Sequence, residues 1–301
     1  MSEPDLFPIP VQLFQMTGPP AFTVLDAHGS EVGASGPANA GPESMVYAPP
    51  ESLQELRTHL LRCLPRTAGN QLVAAPLRAW LLHASLTFEV EALVADLPVP
   101  RNGRGLAEIT RALGREGASW AASGKAPSYR HRRLVEQAFS LVSHAVNSAL
   151  YATTIAAASG LDDYETLQGV ALAAVFADLA LQEPIERSRI DRATIVMRRC
   201  GVPSVGGIAG VLARYAHWDG TGTPRLGGSA IPLEGRCAAI ACDYDLLAEG
   251  GPGGESCTPY EALSEMARRI GWYDPVLLRL FVQLVAKMVV VPDAAPSRAS
   301  A

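Results

Sequence analysis

The sequence is poor in charged and aromatic residues, and it lacks several motifs that would assign a function directly. Of its 301 residues, 18% are charged and 6% are aromatic, whereas 48% are hydrophobic. This balance is typical of a chain with a buried core and argues against disorder. The net charge of -5 and the pI near 5.7 indicate no basic surface for nucleic acid. No P-loop, dinucleotide fingerprint or nucleophile elbow is present.

Long apolar runs and paired cysteines are also missing. No run reaches transmembrane length, and no apolar signal-peptide region follows the acidic N-terminus. We therefore expect a cytoplasmic protein that binds no membrane. The five cysteines are scattered without a C-x-x-C pair, so neither a zinc knuckle nor a disulfide framework is predicted. Cys237 and Cys242 lie in apolar helical sequence, where a free cysteine acts as a small hydrophobe.

The pattern divides the chain into a small N-terminal module (residues 1–65), a helical region (66–292) and a disordered tail (293–301). Short β-type runs at 11–16, 22–25 and 45–48, with a turn at Asp26–Gly29, predict a β-rich module that ends in a helix from Leu53. His28 in the turn and His59 on the helix are expected to be exposed.

From about residue 68 onward the apolar spacing is helical. The first long helix is predicted to reach Leu97, with Leu72 among its apolar residues. Asp163 and Thr258 are predicted helix N-caps, the second in a capping box. The other helices are predicted over 106–121, 134–159, 164–181, 205–216, from 233 and from 274. The basic stretch 125–133 is interpreted as the solvated start of a helix, with an anion site as the alternative.

A glycine-rich segment between two of these helices carries the most specific motif. It contains Trp218-Asp219-Gly220-Thr221-Gly222-Thr223-Pro224-Arg225 and ends in Ile231-Pro232-Leu233-Glu234-Gly235-Arg236. This segment resembles the GYP loop of the HD-GYP proteins, which are metal-dependent phosphodiesterases of cyclic di-GMP. The resemblance covers roughly residues 134–285. It implies a mainly α fold, a helical HD-domain bundle, preceded here by the small β-rich α+β module.

The same resemblance locates the family's metal ligands and shows that most are replaced. His144 and Asp178 stand at ligand positions. At the other motif positions the family's histidines, glutamate and aspartate are exchanged for Ala177, Arg214, Tyr215, Ala216 and Cys242, and its lysine is exchanged for Leu181. Two ligands cannot hold two metal ions, so we expect no metal, no cofactor and no catalytic residue, and a buried hydrogen-bonded pair of His144 with Asp178. Iron or manganese is the alternative cofactor.

The resulting hypothesis is a catalytically inactive HD-GYP-like protein, a binding or scaffolding module in bacterial cyclic di-GMP signalling. The family's loop is associated with docking to GGDEF-domain proteins. The retained residues would preserve such a surface: Trp218, Asp219, Gly220, Gly222, Pro224, Arg225 and Arg236. The alternative is that they only hold the loop's shape, with Asp219 capping a turn, Trp218 packing and Arg236 paired with an acid.

Two other functions and a homodimer are left open by the sequence. One is an active phosphodiesterase with the unconventional ligands Cys242, His217 or Glu234. The other is a receptor that binds a cyclic dinucleotide without cleaving it. Its phosphate would be held by Arg214, Arg225 or Arg236, and its base by Tyr215 or Trp218.

Overall fold

The computed structural model describes residues 6–33, 44–97, 103–123, 140–179, 186–202, 204–251 and 254–289. The basic stretch 125–133, the start of the predicted third helix and the tail 293–301 lie outside these residues. The architecture is mainly α, with a small antiparallel sheet near the N-terminus, as the sequence predicts.

Four short strands form the sheet in the order β1-β4-β2-β3: β1 (Phe7–Pro10), β2 (Val24–Leu25), β3 (Glu31–Val32) and β4 (Met45–Ala48). The predicted turn joins β2 to β3, because Asp26 Oδ1 accepts hydrogen bonds from the amides of His28 and Ser30. The strand predicted over 11–16 is wrong, because residues Val11–Thr17 form helix α1. Val11 and Phe14, one helical turn apart, are both buried there.

Helix α2 (Leu53–Thr67) follows β4 and packs on this module, and the boundary predicted at residue 65 lies inside it. The expectation that His59 is exposed is wrong, since only 6% of it is accessible. Its ring lies against those of Phe14 and Phe22, and its Nε2 is 3.0 Å from the Thr17 hydroxyl. His28 is exposed, as expected.

Nine further helices follow in the described residues: α3 (Ala75–Ala95), α4 (Arg104–Ser123), α5 (Leu141–Ala158), α6 (Tyr164–Ala177), α7 (Glu186–Arg199), α8 (Val205–Leu212), α9 (Leu233–Ala248), α10 (Pro259–Arg268) and α11 (Pro275–Val289). Leu72 precedes α3 and is 96% exposed, so its predicted place in the first long helix is wrong. Helix α8 ends at Leu212, four residues before the predicted end. Residues 213–216 are therefore outside the helix, and most of them are buried.

The predicted helix caps are present. Asp163 accepts a hydrogen bond from the amide of Thr166 at the start of α6. Thr258 and Glu261 form the complete capping box of α10. These caps satisfy amide groups that have no partner within their own helix.

Helices α5 and α6 lie at the centre of the bundle. They pack against each other and against α4 and α9, while α8 packs on α6 and α9. Most of their residues are buried, and many are alanines, whose small side chains allow the helix backbones to approach closely. Cys237 and Cys242 are free and buried in α9, as predicted. No helix in the described ranges is long and apolar enough to span a membrane.

Candidate functional site

His144 is the central residue of a buried polar cluster formed by α5, the end of α6, the segment after α8, and α9. Its Nε2 is 3.2 Å from Asp178 Oδ2, so the hydrogen-bonded pair predicted from the sequence is present. Its Nδ1 is 2.8 Å from Oδ2 of Asp245 on α9. The sequence did not predict this second contact, which joins residues 101 positions apart.

Both ring nitrogens of His144 face a carboxylate, so each must carry a proton to donate. Burial alone would lower the pKa of His144, but the hydrogen bonds to Asp178 and Asp245 raise that pKa well above its usual value. The two carboxylates therefore favour the protonated form of His144.

The carboxylate of Asp178 receives hydrogen bonds from three side chains. Oδ1 accepts from the Tyr215 hydroxyl at 2.7 Å, and Oδ2 accepts from Arg214 Nη2 at 3.0 Å and from His144. Burial would raise the pKa of Asp178, but Arg214 and His144 hold it well below its usual range. Asp178 is thus ionised, and its oxygens are already occupied by donors.

Arg214 and Tyr215 stand where the family has two histidines, and here they fill the centre with their own side chains. Arg214 is 3% exposed, and its Nη2 also donates to Asp243 Oδ1 at 2.7 Å. Burial would lower the pKa of Arg214, but Asp178 and Asp243 keep it well above its usual value. Asp243 follows Cys242 in the chain. Its carboxylate accepts hydrogen bonds from Arg214 and, at 2.6 Å, from the Tyr273 hydroxyl.

One set of three potential metal ligands exists among the described residues. His144, Asp178 and Cys242 each offer an atom within 4.8 Å of the others. They do not fit the family's binuclear centre. Both ring nitrogens of His144 already lie at hydrogen-bonding distance from carboxylates, and both oxygens of Asp178 accept hydrogen bonds from neighbouring side chains. A thiolate is also a soft ligand, unlike the oxygen donors that manganese prefers, and the Arg214 guanidinium already compensates Asp178.

The glycine-rich loop is held in place by backbone hydrogen bonds. The amides of Trp218 and Asp219 donate to the carbonyls of Trp272 and Gly271 in the turn between α10 and α11, at 3.0 and 2.9 Å. Tyr215 pairs with Thr223, and Asp219 with Gly227, in antiparallel bridges. The loop is thus fastened both to itself and to the α10–α11 turn.

Several retained loop residues maintain this shape. Asp219 Oδ1 accepts from the amide and the hydroxyl of Thr221 at 2.9 and 2.6 Å. Arg236 pairs with Asp274 at 2.7 Å and lies 5.8 Å from the centre of the Trp218 ring. At Gly222 a Cβ atom would overlap the Tyr215 carbonyl oxygen. Gly220 adopts φ 82°, Pro224 is partly buried, and Arg225 is exposed.

Comparisons with known proteins agree with this geometry. Residues 189–277 match the family model of the HD domain. The solved structure of Bd1817, a HDG"Y"P protein from Bdellovibrio bacteriovorus, is similar with a TM-score of 0.62 and 14% sequence identity, over 94% of this chain and 100% of that one. A search of curated proteins found no match. Residues 189–277 are thus similar to the HD domain, and the fold of the chain is similar to that of this HDG"Y"P protein.

The segment that matches the HD domain contains the loop, Arg214 and Asp243, while His144 and Asp178 precede it. The unconventional ligands considered from the sequence are not brought together. Cys242 lies in the centre. His217 stacks on Trp272 with ring centres 4.3 Å apart, and the Glu234 carboxylate lies against the glycines of α8.

A pocket of about 180 Å³ lies beside Arg214. Its wall includes Arg214, Tyr215, His217 and Asp243, together with Arg189, Arg269, Trp272 and Tyr273. The sequence did not predict the last four residues. They lie on α7 and at the α10–α11 turn, and no motif marks them.

Proposed function

We propose that the HD-GYP-like domain is catalytically inactive and acts as a binding or scaffolding module in bacterial cyclic di-GMP signalling. One observation carries the proposal: Arg214 and Tyr215 both donate to Asp178, a residue at a family metal-ligand position. The guanidinium group supplies the positive charge that a metal would bring, but it cannot generate a hydroxide nucleophile as a metal ion does.

The contacts of His144 further support inactivity. A general base needs a free lone pair at the atom that accepts the proton. Both nitrogens of His144 lie at hydrogen-bonding distance from carboxylates, so neither is directed at a substrate. The side chains at the former ligand positions are thus occupied with one another.

The retained loop supports a docking function. Its backbone is fixed to the α10–α11 turn, and Arg225 on the loop is exposed together with Ile270 in that turn, which is 87% exposed. By the family resemblance the expected partner is a GGDEF-domain protein. A cyclic-dinucleotide receptor is the second candidate, favoured by the pocket, whose wall carries three guanidinium groups and aromatic rings. Arg236 is less suited to hold such a ligand, because it pairs with Asp274.

Metal content and hydrolysis test the inactivity. The protein, expressed with added iron and manganese, is analysed by inductively coupled plasma mass spectrometry and assayed with cyclic di-GMP. We expect metal well below one equivalent per chain, removable by a chelator, and no hydrolysis. A full equivalent that survives the chelator, or measurable turnover, would refute the proposal. Loss of that metal in Cys242→Ala would then assign the ligand.

Copurification tests the docking. GGDEF-domain proteins from the same genome are expected to be retained by the wild-type chain and lost by Arg225→Glu. Arg268→Glu is the matched control, because Arg268 is an exposed arginine on α10. Equal retention by both variants would exclude docking through the loop.

A further inference from the structure

The guanidinium group of Arg214 has unused hydrogen-bond donors, although it is almost fully buried. Arginine carries five N–H donors, but both hydrogen bonds from Arg214 to carboxylates come from Nη2. Within the described residues, neither Nε nor Nη1 donates to any acceptor, and Nε is fully buried. Buried donors without partners are rare in proteins and point to an absent water, ion or ligand.

This same arginine forms part of the pocket wall, where further donors surround it. Arg269 reaches Asp243 only at 3.4 Å and Glu265 at 3.5 Å, so its ion pairs are long. His217 also lines the pocket and uses Nδ1 for the Thr221 hydroxyl at 3.0 Å. The wall therefore offers donors from at least two guanidinium groups.

The charges of the wall favour an anion. Three arginines line the pocket, and among its described lining residues Asp243 is the one carboxylate. A phosphoryl group carries about -1.5 to -2 charges at neutral pH and three strong acceptor oxygens. Guanidinium groups match such oxygens in geometry and charge. The volume of about 180 Å³ suits one such group with a small substituent.

We propose that this pocket binds a single phosphoryl dianion, held by Arg214 and Arg269 beside the ring of Trp272. The ligand is either free phosphate or the phosphate group of a phosphomonoester. In this pocket the guanidinium group of Arg214 supplies the positive charge that metal ions supply in a phosphodiesterase. The inference rests on the proposed function, because both require that Arg214 takes the place of the metal ligands.

Calorimetric titration tests the site with two probes, inorganic phosphate and phenyl phosphate, at about 0.15 M salt to screen weak surface binding. We expect saturable binding of one equivalent. Arg269→Gln should weaken it about tenfold to a hundredfold, as expected for the loss of a charge-assisted hydrogen bond. Arg268→Gln removes the same charge one residue away, outside the pocket wall, and should leave the affinity unchanged.

The two probes distinguish the sources. Tighter binding of phenyl phosphate indicates a monoester whose organic part packs on Trp272, while equal binding indicates free phosphate. Absence of saturable heat, or equal effects of the two substitutions, would overturn the inference. Metal analysis of the same sample distinguishes failure of the phosphate-binding inference from failure of the proposed function. A metal-free protein without phosphate binding refutes only the pocket, whereas phosphate binding that a chelator abolishes refutes the replacement of metal by Arg214.

Discussion

Arg214 Nη2 lies 3.0 Å from Asp178 Oδ2 and 2.7 Å from Asp243 Oδ1, so one nitrogen bridges two carboxylates from different helices. Asp178 ends α6 and Asp243 lies on α9. The bridge thus joins two helices of the central bundle. The cation that holds the two carboxylates together is a side chain of the protein itself.

Replacing that cation should destabilise the fold strongly. Arg214→Gln would leave the buried carboxylates of Asp178 and Asp243 without their compensating charge. Breaking a buried ion pair in this way costs about 3–5 kcal/mol, and we expect a loss of this size in the free energy of unfolding in urea. Arg268→Gln, at a side chain that is 76% exposed, should change it by less than about 0.5 kcal/mol. Similar values for both variants would contradict the role of Arg214.

The hydroxyl group of Tyr215 should contribute separately. Tyr215→Phe removes the 2.7 Å hydrogen bond to the ionised Asp178 and preserves the ring. A hydrogen bond to a charged group contributes about 1.5–3 kcal/mol, so the free energy of unfolding should fall by that amount. Tyr260→Phe is the matched control, because Tyr260 is 81% exposed. No difference between these two variants in urea unfolding would rule out the contribution.

The shape of the loop should depend on Gly222. In Gly222→Ala the new Cβ would overlap the Tyr215 carbonyl oxygen and the His217 amide nitrogen, which are backbone atoms and cannot rotate away. We expect a loss of about 1–3 kcal/mol, as for other overpacked sites, measured by thermal and urea unfolding. Gly33→Ala, where no atom lies within 4 Å of the added Cβ, should be nearly neutral. A fully stable Gly222→Ala protein would show that the loop has another conformation.

His59 should make stability depend on pH. Burial, and next the nearby charge of Arg62, lower the pKa of His59 below its ordinary value of 6.5. The unfolded chain therefore binds the proton more tightly, and stability is lost as the pH falls through 6.5 toward the lower pKa of the folded state. The neighbouring Thr17, Phe14 and Phe22 carry no charge that would stabilise the imidazolium.

The measurement compares urea unfolding of the wild-type chain with that of His59→Gln, at pH values of about 7.5 and about 5. The wild-type protein should lose more stability than the variant over this interval, because glutamine does not titrate. Equal losses would show that His59 is protonated equally well in the folded and unfolded chain.

The local features of this protein could be predicted from its sequence. Helical spacing predicted most of the helices, and the caps at Asp163 and Thr258 form where they were predicted, because each cap depends on residues three positions away. The turn made by Asp219 and the pairing of Arg236 with an acid could likewise be expected from the loop motif. The prediction that most ligand positions carry other residues rests on the motif alone, because each such position is a single residue type.

The contacts of the buried polar cluster could not be predicted from the sequence, because they depend on tertiary packing. The contacts of Arg214 with Asp178 and Asp243 join residues 36 and 29 positions apart, and Asp245 reaches His144 across 101 positions. The burial of His59, the helix at 11–17 and the pocket wall depend in the same way on which surfaces pack together. Such contacts follow from the packing of whole helices, and no local propensity encodes them.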